Sequence, residues 1–238
     1  MWVVQCNIVV MEGQLCYSII MSSVEFRSEI PQPPYQTLEV LLSQIPGENG
    51  EACRRMHTDF KELFEAAPGS SHNHQAWQGG YTDHITDAMN TVAVLYDSLS
   101  AARPLPFEKS DALMIIFLHD LEKPFKFSFD EHGNLVDNPD IPDKAARAAK
   151  REELMTQYGI ELDAQQTNAM RYVEGIRDGD YTNQARVMGE LAALCHCADT
   201  LSARMWYNYP LPEGQDEWHG AARVNPAAVL MLNSEIVD

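Results

Sequence analysis

Seven apolar residues in a row, Ala112-Leu113-Met114-Ile115-Ile116-Phe117-Leu118, run without a break into His119-Asp120. An element that is apolar all round has no face to give to water. Residues 111–119 are therefore a helix enclosed by other protein, or else a central strand. Whatever encloses the run must also accommodate the carboxylate at its end, and burying Asp120 without a partner is costly. A metal ion resolves that cost, and so does a neighbouring helix terminus or a lysine.

The flanking segments read as helices. Leu38, Leu41, Leu42 and Ile45 recur at helical spacing before Pro46-Gly47 stops them, and residues 50–66 gather Ala52, Met56, Phe60, Leu63 and Phe64 on one side. A helix over 82–101 has Thr82 as N-cap and Asp83 in its positive first turn, with a stripe through Ile85, Ala88, Met89, Val92, Leu95, Tyr96 and Leu99. Further helices are expected over 142–158, 161–177 and 183–208. Between them FKFSFDEHGNLVD alternates about a turn, which predicts a surface hairpin. The tail after Pro210 reads as irregular, with a short helix near 226–232. Residues 28–36 are too rich in proline for a continuous helix. The apolar residues 1–20 are interrupted by Gln5, Asn7, Glu12, Gly13 and Gln14, so they fit neither a signal peptide nor a membrane span; a strand pair or an added extension fits better. The expected organisation is an N-terminal extension over 1–35 and one all-α domain over 36–238, a helical bundle with a small peripheral β-hairpin.

Charge narrows the partners. Thirty-five acidic residues against 17 basic ones give a formal charge of −18. Such a surface repels phosphate backbones and disfavours an extended nucleic-acid footprint, although a local basic patch can still hold a small anion or a strand end. The five cysteines are odd in number and form no disulfide or zinc-ribbon spacing, which suits reduced thiols in the cytoplasm. Cys195 and Cys197 are two apart on an expected helix, so their thiols point to different faces and do not share a metal.

His119-Asp120 has company. His84 lies on the stripe through 84, 88, 91/92 and 95, and Asp199 shares a face with Met188, Ala192 and Cys195 in the apolar LAALCHCADTLSA. Three apolar helices thus turn two imidazoles and two carboxylates inward. Mixed nitrogen and oxygen donors suit one divalent metal, Mn, Fe, Co, Ni or Mg, and zinc less specifically.

The order His84 … His119-Asp120 … Asp199 resembles the HD superfamily of metal-dependent phosphohydrolases, whose signature is H…HD…D on a helical bundle. SSHNHQAWQGGYTDHITDAM is similar to the "NHH…GG…H" opening of the subgroup that includes a bacterial 3′–5′ exoribonuclease. LMIIFLHDLEKP resembles the "LLHDIGK" segment, and LCHCADTLSARM the closing "HxAD" helix. The resemblance covers residues 70–205. It implies His84, His119, Asp120 and Asp199 as metal ligands and Lys123 as a contact to substrate phosphate, with Lys126 a weaker candidate of the same kind. Glu122 stands where the family has glycine; a general acid or base, an outer-shell partner and a surface residue are all open to it. His74 suits substrate orientation or proton transfer, and His196 a second metal or the outer shell. The implied activity is hydrolysis of a phosphomonoester or phosphodiester of a small nucleotide-like molecule. A 3′–5′ nuclease acting on RNA or DNA ends and a non-catalytic nucleotide-sensing module are the alternatives.

Overall fold

A computed structural model describes residues 3–11, 14–22, 35–70, 74–176, 179–180 and 186–205. The chain divides into two compact units, Met1–Pro34 and Tyr35–Asp238. In the first, β1 (Val3–Met11) pairs antiparallel with β2 (Gln14–Ser22), in a register running from Val3↔Ser22 to Met11↔Gln14.

The second unit is helical. In order it holds α1 (Leu38–Ser43), α2 (Gly47–Asp59), α3 (Lys61–Ala66), α4 (Gly80–Ala102) and α5 (Lys109–His119). A 3-10 turn (Pro124–Lys126) leads into the hairpin β3 (Phe127–Phe129) and β4 (Leu135–Asp137). Then come α6 (Lys144–Tyr158), α7 (Ala164–Tyr172) and α8 (Glu190–Met205). The second unit is therefore all-α with a small hairpin. No helix among the described residues is long and apolar enough to cross a membrane.

The apolar run 112–118 is a helix, and it lies at the centre. Every residue from Ala112 to His119 is buried, because α1, α2, α4, α7 and α8 all pack against α5. α4 turns Ile85, Ala88, Met89 and Val92 inward, and α8 turns Leu191, Ala192, Leu194, Cys195 and Ala198. Each large aliphatic side chain so buried contributes about 1.5–3 kcal/mol. Beneath the end of α5 the aromatic rings interlock: Phe60 meets Phe125 edge-on at 4.9 Å, and Phe64 meets Tyr81 at 5.0 Å. The start of the unit is clamped to α4. Tyr35 O–H donates to Asp87, while Gln36 N–H donates to Asn90 Oδ1 and Asn90 Nδ2 donates to the Gln36 carbonyl, both at 2.9 Å.

Several boundaries differ from expectation. The helix expected over 50–66 is broken at Phe60 into α2 and α3. Thr82 is not the cap of α4: the helix starts two residues earlier, after Gly79 in the left-handed region (φ 80°), and the Thr82 hydroxyl donates to the Phe64 carbonyl at 2.9 Å. α7 stops at Tyr172, and α8 begins at Glu190 rather than 183. Ahead of α8 the Asn168 side chain holds residues 187–189, donating to the Val187 carbonyl and accepting from Gly189 N–H, both at 2.8 Å. The hairpin turn is tied by Asp130, which accepts from His132 N–H and Asn134 N–H at 2.8 Å. His72, residues 183–185 and 206–208 of the expected 183–208 helix, the tail after Pro210 and the helix near 226–232 lie outside the described residues.

Candidate metal centre

Three segments deliver the polar side chains. His84 rides on the second turn of α4, whose start is set by the glycine pair. Gly79 supplies the left-handed cap. Gly80 passes so close to the loop before it that a Cβ there would lie 1.9 Å from the Gln75 carbonyl oxygen. Trp77 Nε1–H, bonded to Asp83 Oδ2 at 3.0 Å, fastens the same loop to the first turn. His119 is the last residue of α5 and Asp120 its C-cap. The His119 carbonyl, orphaned by the end of the helix, is taken by Arg151 Nη1 of α6 at 2.8 Å. Asp199 comes from the middle of α8.

These groups converge. His84 Nε2 lies 3.1 Å from Asp199 Oδ1 and 3.5 Å from Asp120 Oδ2; His119 Nε2 lies 3.4 Å and 3.2 Å from the same two oxygens. Ligands bound to one ion at about 2.0–2.2 Å sit about 3.0–3.5 Å from one another, so the spacing suits a shared cation. The ligand atoms of His84, His119 and Asp199 all fall within 4.8 Å of each other, a group that could hold a metal ion. His84, His119 and Asp120 are almost wholly buried, and Asp199 is the side chain open to solvent, at 18%.

Among the described residues, His84 Nε2, His119 Nε2 and both Asp120 carboxylate oxygens are buried without a hydrogen-bond partner. The neighbours of Asp120 Oδ2 among the described residues are ionic: the two rings and Lys123 Nζ, which touches it. Orphaned polar atoms in a core are expensive. The outer nitrogens explain how the inner ones are left open. His119 Nδ1–H donates to the Ile116 carbonyl at 2.6 Å, and His84 Nδ1 meets Ser202 Oγ at 3.0 Å. A carbonyl can only accept, so His119 carries its proton on Nδ1 and offers Nε2 as a ligand.

The charges point the same way. Burial raises the carboxyl pKa values of Asp120 and Asp199, yet both are held well below the usual range; His119 and Lys123 outweigh burial at Asp120, and His119 and His84 do so at Asp199. Burial opposes charge on His119, and the two carboxylates overcome it, pushing the ring up to about 10. The centre draws a positive charge to the point between the Nε2 atoms and the carboxylates, where a cation fits as well as a proton.

The remaining expected residues are placed as follows. Lys123 is beside Asp120, with its side chain 27% exposed, and burial is outweighed by Asp120 in holding its ammonium charged. The His74 ring lies 4.9 Å from that of His84, with a buried Nε2 that has no hydrogen-bond partner among the described residues; burial, then His84 and Lys123, push its pKa down to about 4. Glu122 points to Arg151 Nη1 at 3.4 Å, and burial raises its carboxyl pKa. Lys126 lies over the Phe127 ring at 5.6 Å. His196 Nδ1 bonds the Val173 carbonyl at 2.8 Å, tying α8 to the end of α7, and it is not brought into the cluster. Cys195 is buried and Cys197 exposed, on different faces of α8.

Four participants were not singled out from sequence. Ser202 stands three residues after Asp199, on the same face, so the spacing could have flagged it. Tyr81 has a buried hydroxyl without a hydrogen-bond partner among the described residues, its pKa raised by burial and by the charges of Asp120 and Glu122. Gln75 and Arg151 come from a loop and a surface helix with no local signal. No family model, no curated protein and no solved structure matches this chain, so its chemistry is read from these residues themselves.

Proposed function

We propose that this chain is a metal-dependent phosphohydrolase of the HD type, acting on a phosphomonoester or phosphodiester of a small nucleotide-like molecule. The observation that carries the reading is the meeting of His84, His119, Asp120 and Asp199, in which, among the described residues, His84 Nε2, His119 Nε2 and both Asp120 oxygens are buried without a hydrogen-bond partner. His84, His119 and Asp199, with Asp120 as the fourth, would hold one divalent cation, and Mn, Fe, Co, Ni and Mg all accept such donors. When bound, the cation supplies Lewis acidity, lowering the pKa of water toward neutrality and drawing charge from a phosphoryl oxygen.

The chain's own residues supply orientation and proton handling. Lys123, at the partly open side of Asp120, holds a phosphate oxygen of the substrate. Lys126, further along the same segment, adds to the positive field. His74 keeps a neutral ring beside His84, so its Nε2 bonds the substrate or takes a proton. Glu122 acts as an outer partner, holding Arg151 against the His119 carbonyl. The charge of −18 favours a small ligand over a long polyanion.

Purified full-length protein supplied with Mn²⁺ is expected to hydrolyse an aryl phosphate or a member of a nucleotide panel. Chelation and Asp120→Asn should each abolish that turnover. Equal rates in the variant and the parent protein would remove the reading.

A further inference from the structure

Ser202 is completely buried on α8, and its hydroxyl meets His84 twice. Its O–H donates to the His84 carbonyl at 3.2 Å, and its oxygen lies 3.0 Å from His84 Nδ1. A serine has one proton to give. With that proton committed to the carbonyl, Oγ can meet Nδ1 only as an acceptor. The ring must then carry its proton on Nδ1, and Nε2 keeps its lone pair toward Asp199 and Asp120.

We propose that Ser202 is a positioning residue for metal uptake: it holds His84 in the tautomer and orientation that a cation shared with His119 and Asp199 requires. The proposal rests on the metal-centre reading above. The two imidazoles reach the same protonation pattern by different means. His119 uses a main-chain carbonyl, that of Ile116, which no side-chain substitution removes. His84 depends on a side chain, so its tautomer can be changed by mutation.

The turn that carries Ser202 is itself held in place. Gln75 Nε2 donates to the Ser202 carbonyl at 3.1 Å from a loop residue in the left-handed region (φ 42°). A non-glycine residue pays for such a conformation, and it persists where its surroundings enforce it. Here Gly69 N–H donates to the Gln75 carbonyl at 3.0 Å, and both Gly69 and Gly80 approach too closely to carry a Cβ without displacement. The loop before α4 thus grips α8 at the residue that orients the ligand on α4.

The test uses the full chain, stripped of metal and titrated with Co²⁺ alone, with affinity read by chelator competition and by the visible spectrum. Histidine tautomers are read from ¹⁵N-histidine NMR of the metal-free protein at mildly alkaline pH. In the parent protein His84 should carry its proton on Nδ1. Ser202→Ala should give mixed His84 tautomers, leave His119 unmoved and weaken Co²⁺ binding about 10- to 100-fold. Ser202→Thr, which restores the hydroxyl, should recover most of the loss. If the alanine variant does not fold, Ser202→Cys fills similar space with a poorer acceptor and must show the same fall. Parental affinity and an unchanged His84 tautomer in Ser202→Ala, or in Ser202→Cys where that stands in, would overturn the positioning role and leave the metal centre intact. A parent protein that takes up no Co²⁺, or binds it no better than Asp199→Ala, would overturn both.

Discussion

One oxygen of Asp120 faces two imidazoles and an ammonium. A metal ion bound as proposed would compete with Lys123 for the same carboxylate, so the lysine's contribution can be separated from the metal's. Lys123→Met is expected to bind Mn²⁺ as tightly as the parent protein or more so, while phosphoester turnover drops about a hundredfold; calorimetry and steady-state kinetics on one preparation check both. Arg151 is the other cation near the centre, and its service is to the backbone. Arg151→Met strips the cap from the His119 carbonyl and leaves Glu122 without its partner, which should cost about 1–3 kcal/mol in urea unfolding. Asp87 gives a pH signature. Burial pushes its carboxyl up to about 6 although the Tyr35 hydroxyl works against this, and the unfolded chain has it near the ordinary value of 3.8. The folded state then prefers the protonated acid. The penalty is absent below about 4, grows between about 4 and 6, and is complete above. Asp87→Asn, which keeps an acceptor for Tyr35, should melt higher than the parent protein at neutral pH and equally at pH near 4. His84, His119, Asp120 and Asp199 were legible in the sequence because charge or imidazole on an apolar stripe contradicts its surroundings. Ser202 was less so: a serine on a helix contradicts nothing, and its one signal is its place three residues after Asp199 on the same face.

The helices divide by what determined them. α4, α5 and α8 were legible from apolar spacing, since each buries a broad face and the period survives any local irregularity. The breaks were not. The stop at Phe60 and the late start of α8 depend on distant partners, the Phe125 ring and the Asn168 amide, that no local window contains. The Gly79-Gly80 pair lies between these cases: its composition signals a turn, yet the reason for the second glycine is the Gln75 backbone it touches. Gly80→Ala should therefore destabilise the fold by about 3 kcal/mol, a cost far above the ordinary gain of alanine over glycine in a helix. Thermal melting of that variant beside Gly159→Ala checks the cause. Gly159 ends α6 at φ 72° with open space around it, so alanine there should cost about 1 kcal/mol from backbone conformation alone.

For the molecule as a whole, a cation held by three helices as proposed would add its binding energy to folding. Saturation at a hundred times the dissociation constant should stabilise the native state by about 2.7 kcal/mol, seen as a fall in melting temperature when a chelator is added. Asp199→Ala should melt at the same temperature with and without chelator. The donors are widely separated along the chain, at positions 84, 119, 120 and 199. No fragment that ends before α8 owns a complete set of donors, however helical it is. An ion taken up during refolding should thus report the last docking event, and a nascent polypeptide released early should leave the metal pool untouched.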